Sequence, residues 1–144
     1  MKRTIFVSGF LVCLLTLSLI FVSCNSDTKD DTVPNLTDFI TLSTDDAKNQ
    51  RWNEKTTFLT TDHIEAGIKG TDSDFNITKF VFTIKKADGT LITSVPLTIT
   101  IARSPFERYM GYWTLPKGNY IIEVYAVDEK NNKSNTLSKS ITVN

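Results

Sequence analysis

Cysteine and histidine are scarce in this chain, and their positions exclude several kinds of site. The 144 residues include two cysteines, Cys13 and Cys24, and one histidine, His63. The chain beyond residue 24 therefore has no disulfide, no thiolate nucleophile and no Cys-based metal site. A zinc site is excluded as well, because zinc needs several His or Cys ligands. No Gly-rich phosphate loop, G-x-S-x-G elbow or H-E-x-x-H motif occurs.

An excess of charge and a helical apolar period are also missing. The chain has 16 basic and 16 acidic side chains, whereas a nucleic-acid-binding domain needs a basic footprint. No long run has apolar residues at helical spacing, and residues 45–54 offer at most one helical turn. Carboxylates are plentiful, but a glycosidase pair needs a concave cleft that a small β domain rarely provides. The sequence therefore predicts no nucleic-acid partner, no cofactor and no enzymatic activity.

The N-terminal residues follow the order of a secretory signal. Lys2 and Arg3 precede an apolar run over residues 5–22, and a polar, acidic stretch follows Cys24. The segment Phe21-Val22-Ser23-Cys24 resembles the lipobox of bacterial lipoproteins, with Phe21 where leucine is usual. The resemblance implies cleavage before Cys24 and acylation of that cysteine, with palmitate among its acyl chains.

Two alternatives to a lipoprotein signal stay open. The apolar run 5–22 is 18 residues long, which just suffices for an uncleaved transmembrane helix. An ordinary secretory signal cut at another position would also produce this pattern. The lipoprotein interpretation predicts membrane attachment through lipid, and stable anchoring needs more than one acyl chain.

The residues after Cys24 indicate the destination of the mature chain. Asn25, rather than aspartate, at its second position favours the outer membrane. Lys29-Asp30-Asp31 resembles the export signal that places lipoproteins on the cell surface in some gut-type Gram-negative bacteria. The alternative is a solvated charge run in a linker, with the protein on the periplasmic face.

The predicted organisation has three parts: a signal peptide over 1–23, a lipidated cysteine with a flexible tether over 24–37, and one β domain over 38–144. The tether is polar and has no apolar periodicity. Removal of the signal leaves 14 basic and 16 acidic side chains. The mature chain would be 121 residues long, which is the size of one domain.

Short β-rich runs alternate with turn signals from residue 38 onward, which predicts a sandwich or barrel. Asp88-Gly89 predicts a hairpin turn, because both residues tolerate positive φ. No helices separate the runs, so the strands are predicted to be antiparallel. The predicted strands are 39–42, 56–60, 63–69, 77–85, 91–93, 97–101, 108–115, 120–127 and 137–143, of which seven are main strands.

Residues 113–128, with the sequence WTLPKGNYIIEVYAVD, resemble the second half of bacterial immunoglobulin-like and fibronectin-type-III-like domains. Asn131, Asn132 and Ser134 fit the turn that ends this pattern. The resemblance covers residues 60–144 and implies an all-β, antiparallel immunoglobulin-like β-sandwich of about seven strands. In such a fold a tyrosine at the position of Tyr120 returns its hydroxyl to the backbone at the sandwich corner.

Alternation along the strands predicts which side chains form the core. The predicted core residues share parity within each strand: Phe80, Phe82, Ile84, Trp113, Leu115, Tyr120, Ile122, Val124 and Ala126. Two packed sheets need such interdigitating faces about 10 Å apart. The same parity turns Met110, Tyr112 and Tyr125 away from the core.

Aromatic side chains that the core does not use are the candidates for ligand binding. Tyr112 and Tyr125 face outward by parity, and Trp52 and Tyr109 have no predicted place in the core. Sugars stack on exposed Tyr and Trp rings, and protein partners use them as hot spots. The alternatives are that single exposed apolar residues are ordinary on sheets, or that an accessory sheet or residues 43–56 cover this face.

Acidic loop residues give a weak indication of a calcium site. Asp72 and Asp74 lie in one loop and Asp128 in another, and a site could assemble if the loops shared one end of the sandwich. Calcium wants six or more oxygen ligands. The alternative, which we favour, is that these residues serve the backbone of their turns, so no metal is predicted.

The sequence thus predicts a non-enzymatic cell-envelope lipoprotein that presents an immunoglobulin-like domain to a glycan or protein ligand at the cell surface. A second hypothesis is a structural accessory subunit of an outer-membrane or periplasmic complex, docked through an exposed sheet edge. A third is an inhibitor of a protease or lysozyme that uses residues 102–108, where Pro105 stiffens the chain.

Overall fold

The computed structural model describes residues 32–144, so the signal segment, Cys24 and the export signal Lys29, Asp30 and Asp31 lie outside the described residues. The described part consists of eight strands and one short helix. In chain order these are β1 (Asn35–Ser43), α1 (Thr44–Lys48), β2 (Thr57–Phe58), β3 (Ile64–Thr71), β4 (Ile77–Lys86), β5 (Leu91–Thr98), β6 (Phe106–Trp113), β7 (Gly118–Asp128) and β8 (Leu137–Val143).

The strands form two sheets that pack face to face. The small sheet has the order β1-β3-β6, and the large sheet has the order β2-β8-β7-β4-β5. All neighbours are antiparallel except the two-residue strand β2, which runs parallel to β8. The predicted fold class is confirmed: the domain is an all-β, antiparallel immunoglobulin-like sandwich. Strand β1 begins at Asn35, inside the range predicted as tether.

The core between the sheets contains the residues that alternation predicted. Eight of the nine are buried, and Trp113 is half-buried with its ring centroid 5.0 Å from that of Phe82. Burial of each large apolar side chain contributes about 1.5–3 kcal/mol. The main core cluster extends from Leu36 to Val143, so a fragment of residues 25–144 retains the whole of it.

Tyr120 occupies the corner position that the sequence predicted for it. Its hydroxyl donates a hydrogen bond to the backbone carbonyl of Pro116 at 2.7 Å, and its ring is buried. This contact fixes the turn between β6 and β7, as a tyrosine corner does in immunoglobulin-like domains.

The predicted outward direction of Met110 is wrong, because β6 contains a bulge. The register between β3 and β6 shifts at Glu65, which lies opposite both Gly111 and Tyr112. Gly111 has a φ of 82°, as the first residue of a glycine bulge does. The extra residue lets Met110 and Trp113 both pack against the core, while Tyr112 points outward.

Two further boundaries differ from the predicted ones. Strand β5 runs without interruption from Leu91 to Thr98. Pro96 does not break it, because β5 is an edge strand and no hydrogen bond to the neighbouring strand is lost with the missing N–H. The predicted loop 102–108 is shorter than expected. Phe106 begins β6 and is only 3% exposed, so residues 106–108 belong to a strand.

Helix α1 and the residues after it lie over the outer face of the small sheet. Ser43 caps the helix, with its hydroxyl accepting from the backbone N–H of Asp46. Ala47 of the helix packs with Ile40 and Leu42 of β1 in a second apolar cluster. Residues 43–56 therefore cover the part of the outer face that carries Tyr109, whereas Tyr112 stays exposed and Tyr125 lies on the other sheet. The described part of the chain contains no helix with the length and apolar character of a membrane span.

Candidate functional site

The four candidate aromatic residues lie in three different environments. Trp52 and Tyr109 pack against the second apolar cluster, with their ring centroids 5.9 Å apart in an edge-to-face arrangement. The ammonium of Lys69 lies 3.9 Å from the centroid of the Trp52 ring. These contacts join the segment after α1 to the outer face of the small sheet.

The hydroxyl of Tyr109 is also engaged within the domain. It donates a hydrogen bond to Oε1 of Glu107 at 2.5 Å. Desolvation, together with that carboxylate, raises the pKa of Tyr109 to about 12. Its ring and its hydroxyl therefore both have partners inside the protein.

Tyr125 lies on the outer face of the large sheet, where it pairs with Val81 of β4. Its ring is half-buried, and the ammonium of Lys133 lies 5.2 Å from the ring centroid. The same face carries the ion pair between Lys85 and Glu123 at 2.7 Å. Tyr125 is thus partly covered by a cation of its own domain on the outer face of the large sheet.

Tyr112 is the most exposed of the four, with 60% of its surface accessible. The bulge in β6 turns it outward beside His63, which is exposed and immediately precedes β3. The two rings are stacked, with centroids 4.3 Å apart and planes 22° from parallel. This pair is an aromatic platform in contact with solvent.

The Tyr112–His63 platform borders a groove of about 620 Å³. The groove lies between the start of α1, the turn before β3 and the bulge of β6. Hydroxyl-bearing and charged side chains line the rest of it: Ser43, Thr44, Asp45, Lys48, Thr61, Asp62 and Glu65. We call this the Tyr112 groove.

The three carboxylates of the Tyr112 groove differ in their partners. Asp62 accepts hydrogen bonds from Nζ of Lys55 at 2.8 Å and from the backbone N–H of Leu59 at 3.0 Å. The bond from Lys55 is the main reason that the pKa of Asp62 lies below its usual value. Asp45 has Nζ of Lys48 4.0 Å away, a loose and solvent-exposed pair that contributes little.

Glu65 is the third carboxylate, and its side chain makes no hydrogen bond or ion pair within residues 32–144. It is half-buried, and desolvation raises its pKa, an effect that the charge of Lys48 partly offsets. An unpaired, partly desolvated carboxylate is unfavourable for stability. Perturbed titratable groups in clefts are frequent at functional sites.

The acidic loop residues Asp72 and Asp128 hold the backbone of their own turns. Oδ2 of Asp72 accepts from the N–H groups of Asn76 and Ile77 at 2.9 and 3.2 Å. Both oxygens of Asp128 accept from Lys130 and Asn132, each at 2.8 Å. Their geometry is that of turn-stabilising carboxylates.

The two acidic loops do lie at the same end of the sandwich. The backbone N–H of Glu129 donates to the carbonyl of Asn76 at 3.0 Å, and Asp74 accepts a hydrogen bond from the Thr32 hydroxyl. Within residues 32–144, however, no group of three or more His, Cys, Asp or Glu side chains is arranged to hold a metal ion.

Sequence reasoning missed His63 and Glu65 as members of the site. His63 was predicted only to begin a strand, because its stacking partner is 49 positions away in the chain. In the structure Glu65 lies between the buried residues Ile64 and Ala66 of β3 and points to the outer face. The sequence gives no sign that a groove forms there, since the groove needs α1 and the β6 bulge together.

Comparison with known proteins gives no match to a protein-family model and none to a curated protein. Among solved structures, the chain is similar to the PKD domain of an M14-like peptidase from a Thermoplasmatales archaeon. The identity is 17%, the alignment covers 78% of this chain and 96% of that one, and the TM-score is 0.49.

Two other solved structures are similar at lower scores. The CARDB domain of a Pyrococcus furiosus protein, determined in complex with di-metal ions, has 15% identity, coverage of 78% and 90%, and a TM-score of 0.41. The fibronectin(III)-like modules of Clostridium thermocellum CbhA have 23% identity, coverage of 76% and 94%, and a TM-score of 0.37. The identification of the sandwich rests on its own two sheets rather than on these likenesses.

Proposed function

We propose that this protein is a non-enzymatic binding module, anchored by lipid at the outer membrane and exposed at the cell surface, whose ligand is a glycan bound in the Tyr112 groove. The observation that carries the proposal is the exposed stack of Tyr112 on His63 beside that groove. Neither ring belongs to the two apolar clusters that hold the domain together.

The chemistry of the groove suits a sugar. A pyranose ring has an apolar face that packs on an aromatic ring, while its hydroxyls need donors and acceptors at the edge. Tyr112 supplies the ring and Thr61 supplies a hydroxyl along the groove. The Ser43 and Thr44 hydroxyls donate to Asp46 and to the carbonyl of His63, so they serve a sugar as acceptors. A volume of about 620 Å³ lies within the usual range for small-ligand sites.

Binding is tested with residues 25–144 on a glycan array, followed by calorimetry with each glycan that binds. Tyr112→Ala is expected to weaken binding about thirtyfold or more, because removal of a central aromatic anchor costs about 2 kcal/mol or more. Tyr125→Ala is the matched control, since it removes a tyrosine on the other sheet, and it should bind as the unaltered domain does. Equal loss in both variants, or no glycan bound at all, would refute the proposal.

The lipid anchor is proposed from the lipobox resemblance of Phe21-Val22-Ser23-Cys24. A Cys24→Ser variant of the full chain should lose labelling by a palmitate analogue and should leave the membrane fraction. A Cys24→Ser variant that stays membrane-bound with unchanged mass would contradict the proposed lipid anchor. Protease treatment of intact cells then separates surface exposure, for which Lys29-Asp30-Asp31 is the proposed signal, from the periplasmic face.

A structural accessory subunit is the second candidate, and the edge strand β5 favours it. Leu91 and Ile92 at its start are 59% and 43% exposed, and an open edge permits strand addition. Pro96 in the same strand lacks an N–H and limits the length of such pairing. Co-purification with an envelope complex, together with an absence of glycan binding, would favour this function.

The inhibitor function has less support than the other two. In the segment proposed for it, residues 102–108, the last three residues belong to β6, and the Phe106 side chain is in the core. Only residues 102–105 remain as a loop in this segment, and they include Pro105.

A further inference from the structure

We infer that the ligand of the Tyr112 groove is a sugar with a free amino group, and that the carboxylate of Glu65 binds its ammonium. The inference rests on the proposed glycan binding and names the ligand class for it. Three observations carry it: the place of Glu65 in the sheet, its lack of a partner, and the open ring of Tyr112.

Glu65 has a fixed position beside the aromatic platform. It lies within β3, between the inward-facing Ile64 and Ala66, which are both fully buried. On one side it pairs with Leu42 of β1, and on the other it faces the bulge that carries Tyr112. Because Leu42 is covered by α1, the carboxylate lies where the covered part of the sheet meets the open groove.

The charges of the groove compensate Glu65 only in part, through the charge of Lys48. Three carboxylates line the groove, together with a single ammonium, that of Lys48. Lys55 does not line the groove, and its ammonium pairs with Asp62 at 2.8 Å. Lys48 is 4.0 Å from Asp45. A half-buried carboxylate without a partner favours a cation brought by the ligand.

Tyr112 also differs from Trp52 and Tyr125 in having no cation over its ring within residues 32–144. Lys69 lies 3.9 Å from the centroid of Trp52, and Lys133 lies 5.2 Å from that of Tyr125. No such contact is found for Tyr112 within residues 32–144. An ammonium held by Glu65 beside this ring gains both an ion pair and a cation–π contact.

An amino sugar fits these features better than a lysine side chain does. Its pyranose ring packs on the aromatic face, its ammonium meets Glu65, and its hydroxyls meet Ser43, Thr44 and Thr61 along the same groove. A lysine side chain would use the carboxylate and the ring but would leave the hydroxyl-lined part empty.

Burial gives the interaction a pH dependence. Desolvation raises the pKa of Glu65, and a bound ammonium would lower it again. The other titratable groups that line the groove are Asp45 and Lys48 on α1, Asp62 and His63 in the turn before β3, and Tyr112 on β6. Affinity for the amino sugar is therefore expected to fall as the pH drops through the pKa of Glu65.

The test compares two probes of equal length by calorimetry on residues 25–144: β-1,4-linked oligoglucosamine and its fully N-acetylated form. The free amine should bind about tenfold more tightly, as one ion pair with a cation–π contact provides. Glu65→Gln should reduce the affinity for oligoglucosamine to that for the acetylated probe. Glu129→Gln, which removes a charge outside the groove, should leave both affinities unchanged.

The outcomes separate this inference from the function on which it rests. Equal affinity for the two probes, with loss in Tyr112→Ala, would overturn the inference and leave glycan binding in place. Oligolysine that binds where oligoglucosamine does not would overturn the sugar class. A Glu65→Gln domain that keeps its circular dichroism and also keeps full preference for the amine would overturn the role of Glu65.

Discussion

The indole of Trp52 lies directly on the backbone of Gly67. A β-carbon added to Gly67 would be 2.8 Å from Cζ3 of Trp52 and 3.1 Å from Cγ1 of Ile40. The glycine therefore makes room for the ring, and the ring joins the segment after α1 to the middle of β3. This contact forms one side of the cover over the small sheet, and the Tyr112 groove lies next to that cover.

A Gly67→Ala substitution should displace Trp52. We expect a loss of about 1–3 kcal/mol in the free energy of unfolding, because an added methyl in a tight contact forces its neighbours apart. Urea unfolding measures the loss, and tryptophan emission of the folded protein should shift as the Trp52 ring moves. Unchanged stability and emission would contradict the packing of Trp52 on Gly67.

A Tyr120→Phe substitution should weaken the corner between β6 and β7. It removes the donor of the 2.7 Å hydrogen bond to the carbonyl of Pro116, and such a bond contributes about 0.5–1.5 kcal/mol. Tyr125→Phe is the matched control, because the Tyr125 hydroxyl has no hydrogen bond within residues 32–144. Thermal unfolding of the two variants should separate them, and equal stabilities would argue against the corner contact.

A Glu65→Gln substitution should stabilise the domain in a pH-dependent way. Burial raises the pKa of Glu65 in the folded state above its unfolded value, so the folded state binds the proton more tightly and loses stability as the pH rises through these values. The variant lacks this ionisation. It should therefore unfold at a higher temperature than the unaltered domain at neutral pH, and the difference should shrink in acid. A variant less stable at neutral pH would mean that Glu65 has a partner.

An Asp128→Ala substitution should destabilise the domain, while calcium should not affect it. The substitution leaves the N–H groups of Lys130 and Asn132 without their 2.8 Å acceptor, which costs about 1–3 kcal/mol for a buried site. Thermal unfolding with added calcium and with a chelator should give one melting temperature. A rise with calcium that Asp128→Ala abolishes would indicate a metal site instead.

The parts of the fold that follow from local pattern were predicted from the sequence. Alternation placed Phe80 and Phe82 in the core, and the turn before Tyr120 placed its hydroxyl at the corner. Alternation failed at Met110, because one extra residue at Gly111 reverses the parity that follows it. Such a bulge depends on the pairing with β3, which the sequence of β6 alone does not reveal.

The candidate site was predictable only in part. Tyr112 was recognised as outward-facing, but its partner His63 comes from another strand. Trp52 and Tyr109 have the composition of a binding surface, yet they pack on each other over β1 and β3. Whether such an aromatic residue binds a ligand or packs inside the domain depends on the three-dimensional position of α1 and the segment after it, because binding surfaces and internal contacts are rich in the same residue types.

A chemical-shift titration of isotope-labelled residues 25–144 with oligoglucosamine locates the ligand without assuming a role for any side chain. We predict saturable shifts at the amides of residues 43–48, 61–65 and Tyr112, and little change around Tyr125 on the other sheet. Shifts centred on the outer faces of β4 and β7, or no saturable shift at any amide, would contradict binding in the Tyr112 groove.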